Sequence, residues 1–180
     1  RLRPWSPPPA AYRRLQQLLR RRAKLVGLRV ALRQSFEEPA MRQMLQPVLA
    51  ALKQVERALD SALRHAADEA DLTATLQRCQ AVEGIGSLTA CALNMAYLRG
   101  HFCNSDAFIA FLGMDVRVRD SGRCQGRRRL TKQGDPEIRR LLYNAAMAAS
   151  RSAAWKPFYQ RHLDRGLTRI QALVALARKL

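Results

Sequence analysis

MRQMLQPVLAALKQVERALDSALRHA, residues Met41 to Ala66, places this chain among the helical proteins. Met41, Leu45, Val48, Leu52, Val55, Leu59, Ala62 and Ala66 recur at alternating steps of four and three. Such a step is the signature of a helix with one sustained heptad seam. Pro47 falls inside the pattern and predicts either a kink or the true start of the helix. Upstream, residues 10–36 carry Leu15, Leu18, Leu25 and Leu32 on a second stripe, which ends where Glu38-Pro39 breaks the periodicity. The two segments predict a long antiparallel helical hairpin, a coiled-coil arm over residues 10–70. Its narrow apolar seam and arginine-loaded faces suit packing on a second copy of the chain through residues 10–66. An ordinary two-helix portion of a single core is the alternative. Residues 1–9 form a proline-stiffened lead-in.

Composition agrees with an all-α fold. Ala, Leu and Arg dominate and aromatics are few. The formal charge of +18 on 180 residues implies a polyanionic partner. It is concentrated at the two ends. Residues 1–36 hold 10 basic and no acidic side chains, residues 37–111 hold 6 and 9, and residues 112–180 hold 16 and 5. Two basic ends around a near-neutral middle favour nucleic acid over a lipid surface. No apolar run approaches the ~20 residues that span a bilayer, and a cytoplasmic location is expected. Cys79, Cys91, Cys103 and Cys124 lack metal-ligand spacing and are expected to be reduced. His65, His101 and His162 are scattered and form no ligand set.

Residues 71–180 are expected to form a compact helical domain. Short helices are predicted at about 72–80, 87–98 and 105–112, with Asn104 or Ser105 as the cap of the third. Asp135-Pro136-Glu137 reads as a helix start, leading to about residue 151. A last pair covers about 155–164 and 168–179, broken at Gly166. Between the first two short helices lies G-I-G-S (Gly84, Ile85, Gly86, Ser87), the sequence form of a helix-hairpin-helix over residues 76–98. Glycine lets a phosphate approach the backbone, and the next helix aims its N–H groups outward. A tight turn between packed helices is the alternative, and Glu83 suits packing better than phosphate.

Residues 113–134 read as a loop or small β-hairpin. Within it, D-S-G-R-C-Q-G-R-R-R-L-T-K-Q-G-D-P (Asp120–Pro136) sets Ser121 among Arg117, Arg119, Arg123, Arg127, Arg128, Arg129 and Lys132. Gly122 and Gly126 admit a sugar-phosphate chain, and Arg139 and Arg140 follow on the next helix. Guanidinium forks pair with phosphate oxygens and stabilise a pentavalent phosphoryl transition state. Local chemistry leaves two roles open for Ser121: a nucleophile, or one more phosphate hydrogen bond. No histidine is near it in sequence, and Asp120, its neighbour on an extended segment, is a doubtful base.

From about Thr75 onward the chain resembles the C-terminal half of the IS110-type transposases, the group that includes the Piv-type invertases. The residues that carry the resemblance are VEGIGSLTA (Val82–Ala90), HFCNSDAFIAFLGMDV (His101–Val116), RDSGRCQGRRRLTKQGDPEIRRLLYNAA (Arg119–Ala146), WKPFY (Trp155–Tyr159) and ALVALARKL (Ala172–Leu180). Residues 8–66 resemble, more loosely, the coiled-coil segment that precedes it. Glu83 and Val116 stand where prolines are common. The resemblance implies a DNA recombinase guided by a structured RNA, with Ser121 as the residue joined covalently to DNA. It also implies a RuvC-like domain whose four carboxylates bind Mg²⁺. This chain holds no such carboxylate arrangement, so no cofactor is expected in it, and it is expected to be a truncated and inactive piece. A non-catalytic DNA- or RNA-binding remnant is the competing class, and a coiled-coil scaffold with incidental charge is a third.

Overall fold

A computed structural model describes residues 6–117 and 129–180. The chain divides into two compact units, one ending at Thr73 and one running from Ala74 to Leu180. The described residues form an all-helical fold with one minor β-hairpin.

The first unit is two long helices, α1 (Ala10–Ser35) and α2 (Pro39–Asp68), packed against each other. Pro39 starts α2, where its missing N–H costs nothing. Pro47 does not mark the start: the helix runs through it without interruption. Leu15, Leu18 and Leu19 of α1 are buried, as are Leu45, Leu49, Leu63, Ala66 and Ala67 of α2. Two ion pairs cross the hairpin and set it antiparallel. Arg22 grips Asp60, and Arg29 places Nε 2.7 Å and Nη2 3.3 Å from the two oxygens of Glu56. Glu56 is only 8% exposed, so its charge requires that fork.

The predicted seam splits in two. Leu45, Leu52, Leu59 and Ala66 turn toward the interior, joined by Leu49, Glu56 and Leu63. Met41, Val48 and Val55 remain 46%, 48% and 48% exposed, and Met44 is 79% exposed. Ala51 and Ala58 share that outer stripe, with Ala62 half-buried at its end. One α-helix can cover only one side of another. Here α1 takes the positions led by Leu45 and leaves the stripe one step around the helix uncovered.

The second unit holds α3 (Thr73–Gln80), α4 (Ser87–Tyr97), α5 (Ser105–Phe111), α6 (Pro136–Ala149), α7 (Lys156–Asp164) and α8 (Arg169–Lys179). Between α5 and α6, β1 (Val116–Arg117) pairs antiparallel with β2 (Arg129–Leu130). The core centres on α6, which packs on both α4 and α8. Its buried face is Ile138, Leu141, Leu142, Ala145, Ala146 and Ala149. α4 answers with Ala90, Cys91, Ala92, Met95 and Ala96, and α8 with Ala172, Leu173, Leu176 and Ala177. So many alanines let the helix axes approach closely. The helix starts are written locally. Asn104 Oδ1 accepts from the Ala107 N–H at 2.8 Å, Asp135 Oδ1 accepts from the Glu137 N–H at 2.8 Å, and Thr168 and Gln171 form a reciprocal capping box.

Candidate nucleic-acid interface

Residues 113–117 and 129–134, on either side of the basic segment, form a stem that the surrounding helices hold by backbone chemistry. Gly113 ends α5 with φ +68°, and Met114 N–H donates to Ile109 O at 3.0 Å. On the returning strand, Thr131 N–H donates to Asp115 O at 3.1 Å and Lys132 N–H to Gly113 O at 3.1 Å. The Thr131 hydroxyl also bonds the Asp115 carboxylate. Gly134 lies against the Leu112 carbonyl so closely that a Cβ there would stand 2.6 Å from Phe111 O. A side chain at either glycine would push the two arms of the stem apart.

Arg139 locks this arrangement from α6. Its Nη1 donates to Gly134 O at 2.5 Å and reaches Leu112 O at 3.4 Å. The guanidinium therefore clamps α5 to the end of the stem. Arg140 is tied differently: Nε and Nη2 form a fork to Glu137 at 2.8 and 2.6 Å. Hydrogen bonding to Glu137 raises the Arg140 pKa above its usual range, against the smaller lowering by burial.

At the stem itself, Arg117 stands directly across from Arg129, and both are exposed. Neither forms an ion pair among the described residues. Like charges opposed across two strands destabilise the pairing unless an anion lies between or beside them. Lys132, also exposed, extends the same cationic edge with a left-handed backbone, φ +56°. Arg119, Ser121, Gly122, Arg123, Gly126, Arg127 and Arg128 lie outside the described residues.

The G-I-G-S turn joins α3 to α4 and is half inward, half outward. Gly84 has φ +97°, and a Cβ on it would stand 2.6 Å from Ala145 O and 2.7 Å from Ala149 Cβ. It is the point where the turn seats on α6. Ile85 is buried. Gly86 and Ser87 are exposed, with open space around Gly86. Gly86 is the N-cap of α4 and, having no side chain, leaves the first-turn amides without a side-chain cap.

These features fall within one matched span. Residues 76–160 match the transposase IS116/IS110/IS902 family model. Over that span, the chain is similar to IS110-type transposases. The match begins within α3 and ends within α7, and so contains the turn, the stem and residues 118–128, among them Ser121. No curated protein matches the chain. Among the described residues, no group of three or more His, Cys, Asp or Glu is placed to hold a metal ion. No helix among them is long and apolar enough to cross a membrane.

Sequence reading did not single out Arg139 as a clamp. Its i+4 spacing from Asp135 was visible, but the carbonyls it bonds belong to residues brought near only by folding. Nor did it find Arg178, which lines a separate groove.

Proposed function

We propose that this chain handles DNA strand cleavage and exchange in an IS110-type transposase, with Ser121 as the nucleophile and a structured RNA as guide. The observation that carries the reading is the exposed Arg117–Arg129 pair at the stem, inside the family-matched span. The stem leads directly into residues 118–128, which hold the S-G motif.

The chemistry follows from the residues. Ser121 Oγ attacks a phosphodiester phosphorus and gives up its proton. The P–O bond to one sugar oxygen breaks, and that oxygen takes a proton. A serine-phosphodiester remains, and a hydroxyl of another strand reverses the step on it. Arg119, Arg123, Arg127, Arg128 and Arg129 balance the charge that grows on the phosphoryl oxygens. Arg117, Lys132 and Arg140, with the Gly86–Ser87 end of a helix-hairpin-helix, hold flanking backbone. Gly84, Ile85 and Arg139 set the positions of these contacts. The Mg²⁺ of a RuvC-like domain has no ligand set among the described residues, and no step above runs through it.

The test is trapping. In a preparation competent for strand cleavage, with the element's DNA junction and RNA, the wild-type protein retains DNA after denaturation on the peptide containing Ser121. Ser121→Ala retains none, while its affinity for the same DNA is unchanged. An adduct that survives Ser121→Ala ends the nucleophile assignment. Absence of adduct from the wild type, with tight binding intact, favours a binding remnant instead.

We also propose that α1 and α2 form a coiled-coil arm that pairs with a second copy along the uncovered α2 stripe. Met41, Met44, Val48 and Val55 supply a regular apolar seam that stays exposed among the described residues. Val48→Glu with Val55→Glu would leave the hairpin folded, since both positions face outward, and would yield monomers by sedimentation. An unchanged oligomer would rule out this stripe.

A further inference from the structure

We infer that a groove between α5, α7 and α8 takes one nucleotide of a single-stranded nucleic acid, an inference that rests on the nucleic-acid role proposed above. The groove encloses about 510 Å³. That is within the range of small-molecule sites.

Its walls divide by chemistry. One side is aromatic: the Phe158 and His162 rings lie 4.4 Å apart with a 38° tilt. His162 Nδ1 lies 2.9 Å from Phe158 O and donates to that carbonyl, which fixes the ring. Ile109 and Ala175 line the groove with apolar surface. Arg178 and Lys179, from the last turn of α8, bring two cations to it.

Arg178 is the decisive residue. Its Nε is buried and has no hydrogen-bond partner among the described residues, while the side chain lines the groove. Asp106 lines the same groove, yet among the described residues neither Arg178 nor Lys179 forms an ion pair. A buried N–H without an acceptor costs stability, and a guanidinium so placed is matched to an oxyanion. An aromatic wall beside an unpaired cation rim corresponds to the two halves of a nucleotide, base and phosphate. Asp106 sets the direction. It repels phosphate from the α5 end, and its carboxylate can accept from a base amino group there. A base stacked within a duplex has no free face to offer Phe158, so the ligand is a single strand or an unpaired nucleotide.

The experiment is photocrosslinking with the intact chain. Strands of about twenty nucleotides, one of DNA and one of RNA, each carry a single 5-iodouracil, and a duplex of the same length measures general affinity by anisotropy. Crosslinks are expected on Phe158 or His162, and the arm that gives them identifies the strand. Arg178→Met should lower that yield about tenfold, the worth of one hydrogen bond to a charged phosphate. It should leave duplex affinity nearly unchanged and the melting temperature unchanged or higher, because the lost Nε had no partner. Phe158→Leu is the second variant and should also lose the crosslink. Crosslinks confined to other residues, or a yield indifferent to Arg178→Met, overturn the groove assignment while leaving the proposed function standing. Failure of all three nucleic acids to bind overturns both.

Discussion

Gly84→Ala is expected to destabilise the second unit by about 3–5 kcal/mol, combining left-handed backbone strain with overpacking against a neighbouring helix. The reason is geometric. The added methyl would lie 2.6 Å from Ala145 O and 2.9 Å from Ala149 N, both main-chain atoms of α6. Backbone within a helix cannot swing aside as a flexible side chain can, so α4 and α6 must separate. They share the alanine-rich core, and the loss spreads through it. A loss of that size corresponds to a fall in melting temperature of roughly 12 °C or more for a unit of this length. Thermal unfolding followed by circular dichroism measures it. Gly86→Ala is the paired control. Nothing lies within 4 Å of its Cβ and its φ is −84°, so it should cost under about 1 kcal/mol as a change of N-cap. The pair separates the two roles of the turn. If Gly84→Ala melts with the wild type, the seat on α6 is wrong. If Gly86→Ala alone lowers nucleic-acid affinity, the exposed end of the turn is the part that meets phosphate.

Nucleic-acid affinity should fall about 10³- to 10⁵-fold between 50 and 200 mM salt, the slope of a protein that displaces roughly six to ten counterions. The +18 charge supplies the reserve. The structure indicates which cations are available to spend. Arg117 and Arg129 oppose each other across the stem, and neither forms an ion pair among the described residues. Arg140 already holds Glu137 in a fork, and Arg139 already holds two carbonyls. Replacing both Arg117 and Arg129 with glutamine should therefore lower the salt slope by about two, one for each phosphate contact. Arg140→Gln should change it less, since removing the guanidinium releases Glu137 along with it. Arg139→Gln should act on the stem and lower stability before it lowers the slope. Anisotropy titrations of a labelled duplex across a salt series give these numbers. A flat salt dependence in the wild type would remove the polyanion from the account altogether.

Much of the fold could be read from short-range signals. The alternation of threes and fours gave α2, Asp135-Pro136-Glu137 gave the start of α6, and Asn104 gave the cap of α5, because each depends on residues within one or two turns. Val116 and Leu130 pair at the base of a hairpin where Val116 and Val118 alternate in sequence. Pro47 misled as a possible start. Proline within a helix removes one N–H donor, and α2 has enough packing on α1 to carry that loss. Among the candidate site residues, Arg139 and Arg140 read alike as two adjacent cations. Folding separates them, one turned to backbone carbonyls and the other to a carboxylate three residues earlier.

The sequence by itself determined where most helices begin and end, that the chain carries a large positive surplus, and that one serine stands in a glycine- and arginine-rich segment inside the span similar to IS110-type transposases. Those properties are local or additive, and need no knowledge of what lies across space. The tertiary structure alone decided which of the α2 stripes is covered, that Gly84 faces α6, that Arg139 braces the stem, and that Arg178 borders a groove without a partner among the described residues. Burial and pairing depend on atoms distant in the chain, and only packing brings those atoms within reach.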